Sequence, residues 1–315
     1  MKKTPILIIA GEPRSIFFEI YFKSIKKKKY KSPLILICSK EKLKFEMKRN
    51  KFKKEINQID LGLIKTAKLS NDKVNLIDIN QYSYRLNKKQ YIEKCFEIAL
   101  KLIKNKFSYK LINGPIDKSS FLDKKYLGVT EYISQKCKQK KTGMLIYNQK
   151  LSVCPVTTHL PLKLVAKKIS KKTITEKILL VNNFFINNFG FKPKIAVTGL
   201  NPHCETILKF DEDKKIILPA IKLMKKKNIN VGGPFSADTV FSKKNRKIYD
   251  VIIGMYHDQV LTPLKTLFEF NAINITMGLP FFRVTPDHGP NQKMIGKNLS
   301  SPESLIQALN FLDKK

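Results

Sequence analysis

The sequence predicts an α/β protein built on a largely parallel sheet. Short apolar runs rich in β-branched residues alternate along the chain with segments whose apolar residues recur at helical spacing, the pattern of repeated β-α units. With 43% hydrophobic residues among 315, the chain can bury a sizeable core. No apolar stretch approaches the roughly 18 to 20 residues that a membrane span needs, so no membrane partner is expected.

The opening MKKTPILIIA resembles a secretory leader, yet its apolar run is too short for one and meets Gly11-Glu12-Pro13 at once. Residues 6–10 are therefore expected as a first buried strand. Further strands are expected at 34–38, 110–113, 144–147, 151–156, 195–198, 251–253 and 273–276. Between them, residues 91–104 put Ile92, Cys95, Phe96, Ala99 and Ile103 on one helical face, and 175–188 and 218–227 read similarly. Ser301 followed by Pro302 makes an N-cap and first-turn pair for a final helix over 303–312. One pair departs from the alternation: 144–147 and 151–156 flank Asn148-Gln149, which predicts a mid-chain hairpin. No linker rich in Pro, Gly or Ser interrupts residues 1–315, so the chain is expected as one large domain or two moderate ones, with any lobes interwoven.

Five cysteines stand far apart with no C-x-x-C pair, which indicates neither a disulfide framework nor a zinc knuckle and fits a reducing cytoplasm. Cys204 adjoins His203, but its spacing matches no thiol motif. The net charge of +36 invites a nucleic-acid reading. Against it, the chain has only five arginines (Arg14, Arg49, Arg85, Arg246, Arg283), the residue suited to bidentate phosphate and guanine contacts. Lysine is instead spread over almost every helix-like segment as solvated faces. Even the strongest run, KSIKKKKYKS at 23–32, interleaves one aromatic and carries no RNA-binding signature. Such a charge favours solubility and attracts anions, phosphorylated small molecules among them.

The candidate chemistry lies in four histidines: His159 in TTHLPL, His203 in GLNPHCE, His257 in MYHDQ and His288 in PDHGP. Each stands where a strand-like run gives way to a loop. Taken singly, any of them is as readily a hydrogen-bonded structural residue. Together, three neutral imidazoles from separate strand ends, His159, His203 and His257, would make a facial metal site with positions open to substrate oxygens. Asp258 and Gln259 follow His257 and could orient its ring. Lys118 in NGPIDK, Lys265 in LTPLK and Arg283 in GLPFFR could hold a phosphate or carboxylate. In GGPFSADTVF, Asp238 could serve a metal or accept a proton, or could equally cap the next helix. No G-x-G-x-x-G, Walker A or G-x-S-x-G sequence follows a predicted strand, so a nicotinamide cofactor would need a fold other than Rossmann.

Taken in order, TTHLPL, GLNPH, GPFSADTVF, MYHDQVLTPLK and GLPFFRVTPDHG closely resemble the 4-hydroxythreonine-4-phosphate dehydrogenases of pyridoxal phosphate biosynthesis, over most of the chain. The opening GEP and NGPIDK agree more loosely. The resemblance implies a two-lobed fold like that of the isocitrate and isopropylmalate dehydrogenases, with a mainly parallel sheet and no Rossmann fingerprint. It implies a homodimer whose active site lies at the subunit interface, the segment of about 130–215 contributing to the dimerisation lobe. It further implies His159, His203 and His257 as ligands of a divalent metal (Zn, Mg or Co), and Thr130, Lys265, Asn274 and Arg283 as substrate-binding residues. Asp238 and Lys118 are the implied catalytic pair, and Glu12, Asp287 and His288 the implied contacts to NAD or NADP. The implied reaction oxidises the substrate's 3-hydroxyl to a β-keto acid, which loses carbon dioxide to give 3-amino-2-oxopropyl phosphate.

Three departures stand out. Val129 replaces the histidine of the family's G-H-T-E, Arg14-Ser15-Ile16-Phe17-Phe18-Glu19 replaces its glycine-rich A-G-I-G-P-E, and Lys293 stands where an acidic residue is usual. Val129 bears on which substrate is bound, making 4-phosphoerythronate or 4-phosphothreonate the first alternative. The other two bear on cofactor geometry. Two rival classes are a basic nucleic-acid-binding protein on an enzyme fold and a metal-dependent hydrolase that uses the same histidines to activate water.

Overall fold

The computed structural model describes every residue except 1–2, 80–86, 118–120, 122–125, 127 and 208–209. It comprises two units, one formed by Met1–Val129 with Pro280–Lys315 and the other by Thr130–Leu279.

Strands apolar on both faces make the middle of the first unit. β1 (Ile6–Ile9) and β2 (Leu34–Cys38) are buried along their whole length, as continuous apolar runs in parallel sheets must be. With β3 (Ile56–Gln58), β4 (Val74–Asp78), β5 (Lys110–Asn113) and β12 (Phe282–Pro286) they form an all-parallel sheet in the order β3-β4-β2-β1-β5-β12. The helix Lys88–Lys104 packs on β1 and β2, and the helix Glu303–Asp313 on β12, β1 and the helix Phe17–Lys27. Lys88–Lys104 starts at a capping box in which Asn87 and Gln90 satisfy each other's backbone N–H. Its buried face holds Ile92, Cys95, Phe96 and Ala99 as expected, but continues through Leu102, not Ile103. The last helix starts at Glu303 as expected, but its N-cap position falls on Pro302, one residue later than predicted, with the Ser301 hydroxyl accepting from Glu303 N (3.3 Å).

The second unit has a mixed sheet, β11-β6-β7-β10-β8-β9. The predicted hairpin is present: β6 (Gly143–Tyr147) and β7 (Ser152–Pro155) run antiparallel, with Ile146 opposite Val153. β11 (Ile273–Met277) also pairs antiparallel with β6. The remaining strands, β7, β10 (Val251–Gly254), β8 (Ile195–Thr198) and β9 (Val231–Phe235), are mutually parallel. Ile146, Val153, Ala196 and Ile252 share a core with Val260, Leu261 and Leu264 of the helix His257–Phe268. The helix Lys171–Phe189 lies against β6, β10 and β11. It is opened by a capping box between Ser170 and Thr173 and closed by left-handed Gly190.

Four strands escaped the sequence pattern, each for a readable reason. β4 (VNLID) and β12 (FRVTP) carry polar residues that the sheet buries, Asn75 at 1% and Arg283 at 3% exposure. β3 is three residues long. β9 contains Gly232-Gly233-Pro234, which breaks the apolar pattern; Gly233 is pinned in the sheet, where an added Cβ would stand 2.4 Å from the Val197 carbonyl oxygen. Among the described residues no helix is long and apolar enough to cross a membrane.

Candidate functional site

The four parallel strands of the second unit end along one edge, the place where open α/β sheets bind ligands. Their exit loops carry the residues singled out for chemistry. His159 follows β7, His257 opens the helix after β10, His203 lies in the turn Pro202–Cys204 after β8, and Asp238 sits in the short helix Ala237–Val240 after β9.

These exits are cross-tied. Val156 N donates to the Gly254 carbonyl (2.7 Å) and the Thr157 hydroxyl to that of Met255 (2.7 Å), joining β7 to β10. Gln259 joins β10 to β8: Oε1 accepts from Met255 N (2.7 Å) and Thr198 Oγ1 (2.8 Å), while Nε2 donates to the Gly199 carbonyl (2.7 Å). Gly199 N in turn donates to the carbonyl of Phe235 at the end of β9 (2.9 Å). The loop toward His203 is anchored by Asp213, wholly buried, whose carboxylate accepts from Leu200 N (2.8 Å), Asn201 N (3.0 Å) and Asn201 Nδ2 (2.9 Å). Gly199 has no space for a side chain here, since a Cβ would lie 2.5 Å from Asp213 Oδ1 and 2.7 Å from Cys204 Sγ.

On this frame the His159 and His257 rings stand near each other, centroids 6.1 Å apart and planes at 38°. With metal–nitrogen bonds of ~2.1 Å, two imidazoles on one tetrahedral ion have centroids about 5.3 Å apart, so the pair is adjacent but stands wider than a shared ion would hold it. His257 Nδ1 lies 2.6 Å from Asp258 Oδ1, which orients the ring and leaves Nε2 for a ligand. His203 is exposed and left-handed (φ 57°), and Cys204 follows it in the same region (φ 62°). Non-glycine residues pay roughly 1–2 kcal/mol each for that backbone, a strain that tends to sit at functional loops. Among the described residues no group of three His, Cys, Asp or Glu side chains is gathered to hold an ion. The structure thus brings two of the three predicted ligands together and carries the third on a neighbouring loop.

Asp238 is exposed and is not the cap of its helix, a position taken by Ser236. Burial pushes the Cys204 thiol above the usual cysteine range, so it is a poor nucleophile at neutral pH. Lys265 is exposed, two turns along the helix from His257. Thr130 lies in the first turn of the helix Val129–Lys136, where its carbonyl accepts the Ser134 hydroxyl (2.7 Å). Asn274 of β11 donates through Nδ2 to Met144 Sδ (3.3 Å), while its Oδ1 is buried with no hydrogen-bond partner, an acceptor left for a ligand.

In the first unit, β1, β5 and β12 likewise end together. The Glu12 carboxylate after β1 lies 2.8 Å from Lys88 Nζ. Arg283 is buried within β12 and donates through Nε to Asn113 Oδ1 (2.8 Å). Asp287 N donates to Ser304 Oγ (2.6 Å). His288 Nε2 is buried without a partner, and burial holds its imidazole below the usual histidine range. Lys118 lies outside the described residues. Asp213 and Gly199 had not been singled out in the sequence. Gln259 had been grouped with Asp258 as a group to orient His257; Asp258 touches that ring, whereas Gln259 binds strand exits.

A family model described as pyridoxal phosphate biosynthetic protein PdxA matches residues 29–312. The chain belongs to this family. A 4-hydroxythreonine-4-phosphate dehydrogenase of Sulfurihydrogenibium sp. is 37% identical over 321 residues, covering 97% of this chain and 96% of that one. The 4-hydroxythreonine-4-phosphate dehydrogenase structure from Klebsiella pneumoniae superposes with a TM-score of 0.83 at 28% identity, covering 99% of this chain and 98% of its own. A terephthalate 1,2-cis-dihydrodiol dehydrogenase from Burkholderia xenovorans, 16% identical with a TM-score of 0.61 over 98% of this chain and 97% of that one, shares the fold. As a PdxA protein, the chain carries its GLNPH and MYHDQ loops on the frame described above.

Proposed function

We propose that this chain is a 4-hydroxythreonine-4-phosphate dehydrogenase that oxidises the 3-hydroxyl of 4-phosphohydroxy-L-threonine with NAD or NADP, in pyridoxal phosphate biosynthesis. The observation that carries the reading is the cross-tied strand edge of the second unit, which presents His159, His257, His203 and Asp238 on adjacent exits in a PdxA chain.

In this reading His159, His257 and His203 would hold a divalent ion (Zn, Mg or Co), which supplies Lewis-acid polarisation of the substrate's oxygens. Asp258 keeps the His257 ring turned outward, and Gln259 sets the spacing of the exits that carry His257 and His203. Lys265, Thr130 and the open Asn274 Oδ1 hold the anionic and hydroxyl groups of the substrate, with Arg283 as the first unit's anion-holding group. Asp238 would take the hydroxyl proton, and a nicotinamide, when bound, would supply the hydride acceptor for the oxidation at carbon 3. The resulting β-keto acid loses carbon dioxide, and Lys118 returns a proton to the product carbon. Glu12, Asp287 and His288 contact the nicotinamide cofactor, and the protein works as a cytoplasmic homodimer.

The deciding experiment is an assay of the purified protein with Zn, Mg and Co, each nicotinamide, and three acids: 4-phosphohydroxythreonine, 4-phosphoerythronate and 4-phosphothreonate. Reduction of NAD or NADP on the first acid is expected. Turnover confined to either of the others would reassign the substrate, the outcome that Val129 makes the leading alternative. No reduced nicotinamide in any combination, with steep salt-dependent binding to DNA or RNA, would sink the enzyme reading.

A further inference from the structure

The longest basic run of the sequence has no part in the edge chemistry, yet it is built into a cavity. In the first unit a pocket of about 320 Å³ opens where the chain enters β2 and β4, at the opposite end of the sheet from Glu12, Asp287 and His288. Its volume is at the lower end of the roughly 300–1,000 Å³ typical of ligand pockets. Five lysines line it, Lys28, Lys29, Lys31, Lys54 and Lys73, against one acid, Asp72.

These lysines are not equivalent. Lys54 Nζ donates to the Asn71 carbonyl and Lys73 pairs with Glu55 at 2.7 Å. Just upstream, Lys26 stands over the Phe52 ring and Lys27 faces Glu303 at 3.8 Å. Lys28, Lys29 and Lys31 are exposed, and their ammonium groups make no hydrogen bond or ion pair among the described residues. Their backbone, by contrast, is fixed. Asn71 donates to the carbonyls of Tyr30 (2.9 Å) and Ser32 (2.9 Å) and accepts from Leu34 N (2.9 Å). The Asp313 carboxylate accepts from Lys31 N (3.1 Å) and Ser32 N (2.6 Å). Three uncompensated cations thus project from a braced loop, so less ordering entropy is lost when an anion meets them. Beside them Ile25, Leu34 and Leu69 make a smaller apolar wall, and Tyr30 contributes a buried hydroxyl that has no hydrogen-bond partner.

We propose that this pocket binds a nucleoside polyphosphate, its phosphate chain on Lys28, Lys29 and Lys31 and its base on the apolar wall. Three adjacent cations match a chain of several charges better than a single phosphate, and a bounded cavity suits one nucleotide better than a length of nucleic acid.

Calorimetric titration of the full-length protein at physiological salt, with ATP and inorganic tripolyphosphate in separate arms and NAD present throughout, tests this. One saturable site is expected. ATP binding tighter than tripolyphosphate places the base on the apolar wall; equal affinities would limit recognition to the phosphate chain and overturn the nucleoside part. The triple variant Lys28→Gln, Lys29→Gln, Lys31→Gln should lower ATP affinity at least about tenfold, as loss of charge-assisted contacts would. A control replacing Lys225, Lys226 and Lys227 should bind like the wild type. All six side chains are exposed, and unchanged melting will show that both variants fold. No saturable binding, equal loss in the control, no loss in the triple variant, or a single-stranded oligonucleotide that outcompetes ATP would each overturn the proposal.

Discussion

The two units finish their parallel strands in different ways. At the ends of β1, β5 and β12 the first unit meets the Glu12 charge with its own Lys88, while Arg283 donates to the neutral Asn113 amide. At the ends of β7, β10, β8 and β9 the second unit spends its hydrogen bonds on the backbone beneath the loops, through Thr157, Gln259 and Asp213, while His159, His203 and Asp238 are left exposed. A rigid floor beneath outward-facing ligating groups is what metal-assisted chemistry requires; a charge matched from within is costly to redirect. The second unit's edge is therefore where substitution should hurt catalysis most.

The largest effect should come from His257→Ala. On the proposed function His257 is a ligand of a Lewis-acid centre, whose loss removes several kcal/mol of transition-state stabilisation, so kcat/KM should fall roughly a thousandfold, with bound metal falling alongside. His203→Ala sharpens the point, because His203 is the member that the structure does not place in the pair. It should lower metal content and turnover together in a protein that still folds. Metal stoichiometry unchanged in His203→Ala would reduce the centre to His159 and His257.

Next in size is Asp213→Ala, which strands the backbone N–H groups of Leu200 and Asn201 in the turn that leads to His203 and leaves Asn201 Nδ2 with Glu212 alone. Uncompensated burial of such groups should cost about 2–4 kcal/mol of stability, read by urea unfolding. A smaller and more local change is Gln259→Leu, which keeps the volume but removes the three side-chain bonds by which Gln259 ties the exits of β8 and β10. Outer partners of metal ligands are worth about 10–100-fold in activity or metal affinity, and a loss in that range with little change in KM is expected. A loss as large as that of His257→Ala would mean that Gln259 touches substrate.

The contrast between the two edges was only partly legible in sequence. The histidine loops could be found because each follows an apolar run that could only be a strand, and β2, β5 and β8 were placed to the residue. Gln259 and Asp213 could not be assigned their roles. Both act on backbone groups distant in sequence, Gln259 on Gly199 and Asp213 on Leu200 and Asn201, and no local pattern marks a residue whose partners are carbonyls and amides of another loop. β4 and β12 were missed for a related reason. Buried Asn75 and Arg283 break the apolar run, and their compensation comes from elements far along the chain, Asn57 and the Leu34 carbonyl in one case and Asn113 in the other.

The smallest effect expected belongs to the first unit, and its sign is set by His288. Burial holds this imidazole below the usual histidine range, against the opposing influence of the Gly289 carbonyl and the Asp287 carboxylate. The unfolded chain binds a proton there near pH ~6.5, while the folded chain resists it until lower pH. Between the two values the unfolded state carries more protons, so stability rises with pH. His288 therefore contributes fully above its unfolded pKa, and that contribution is lost as pH falls toward the lowered folded value, with a slope of at most about 1.4 kcal/mol per pH unit. Urea unfolding from pH 7.5 to 5 should show a shallower acid-side decline in His288→Gln than in the wild type, the difference being that of a single proton. Parallel profiles would mean that the ring is protonated as readily in the folded chain as in the unfolded one, and that the first unit's edge is as open to water as the second's.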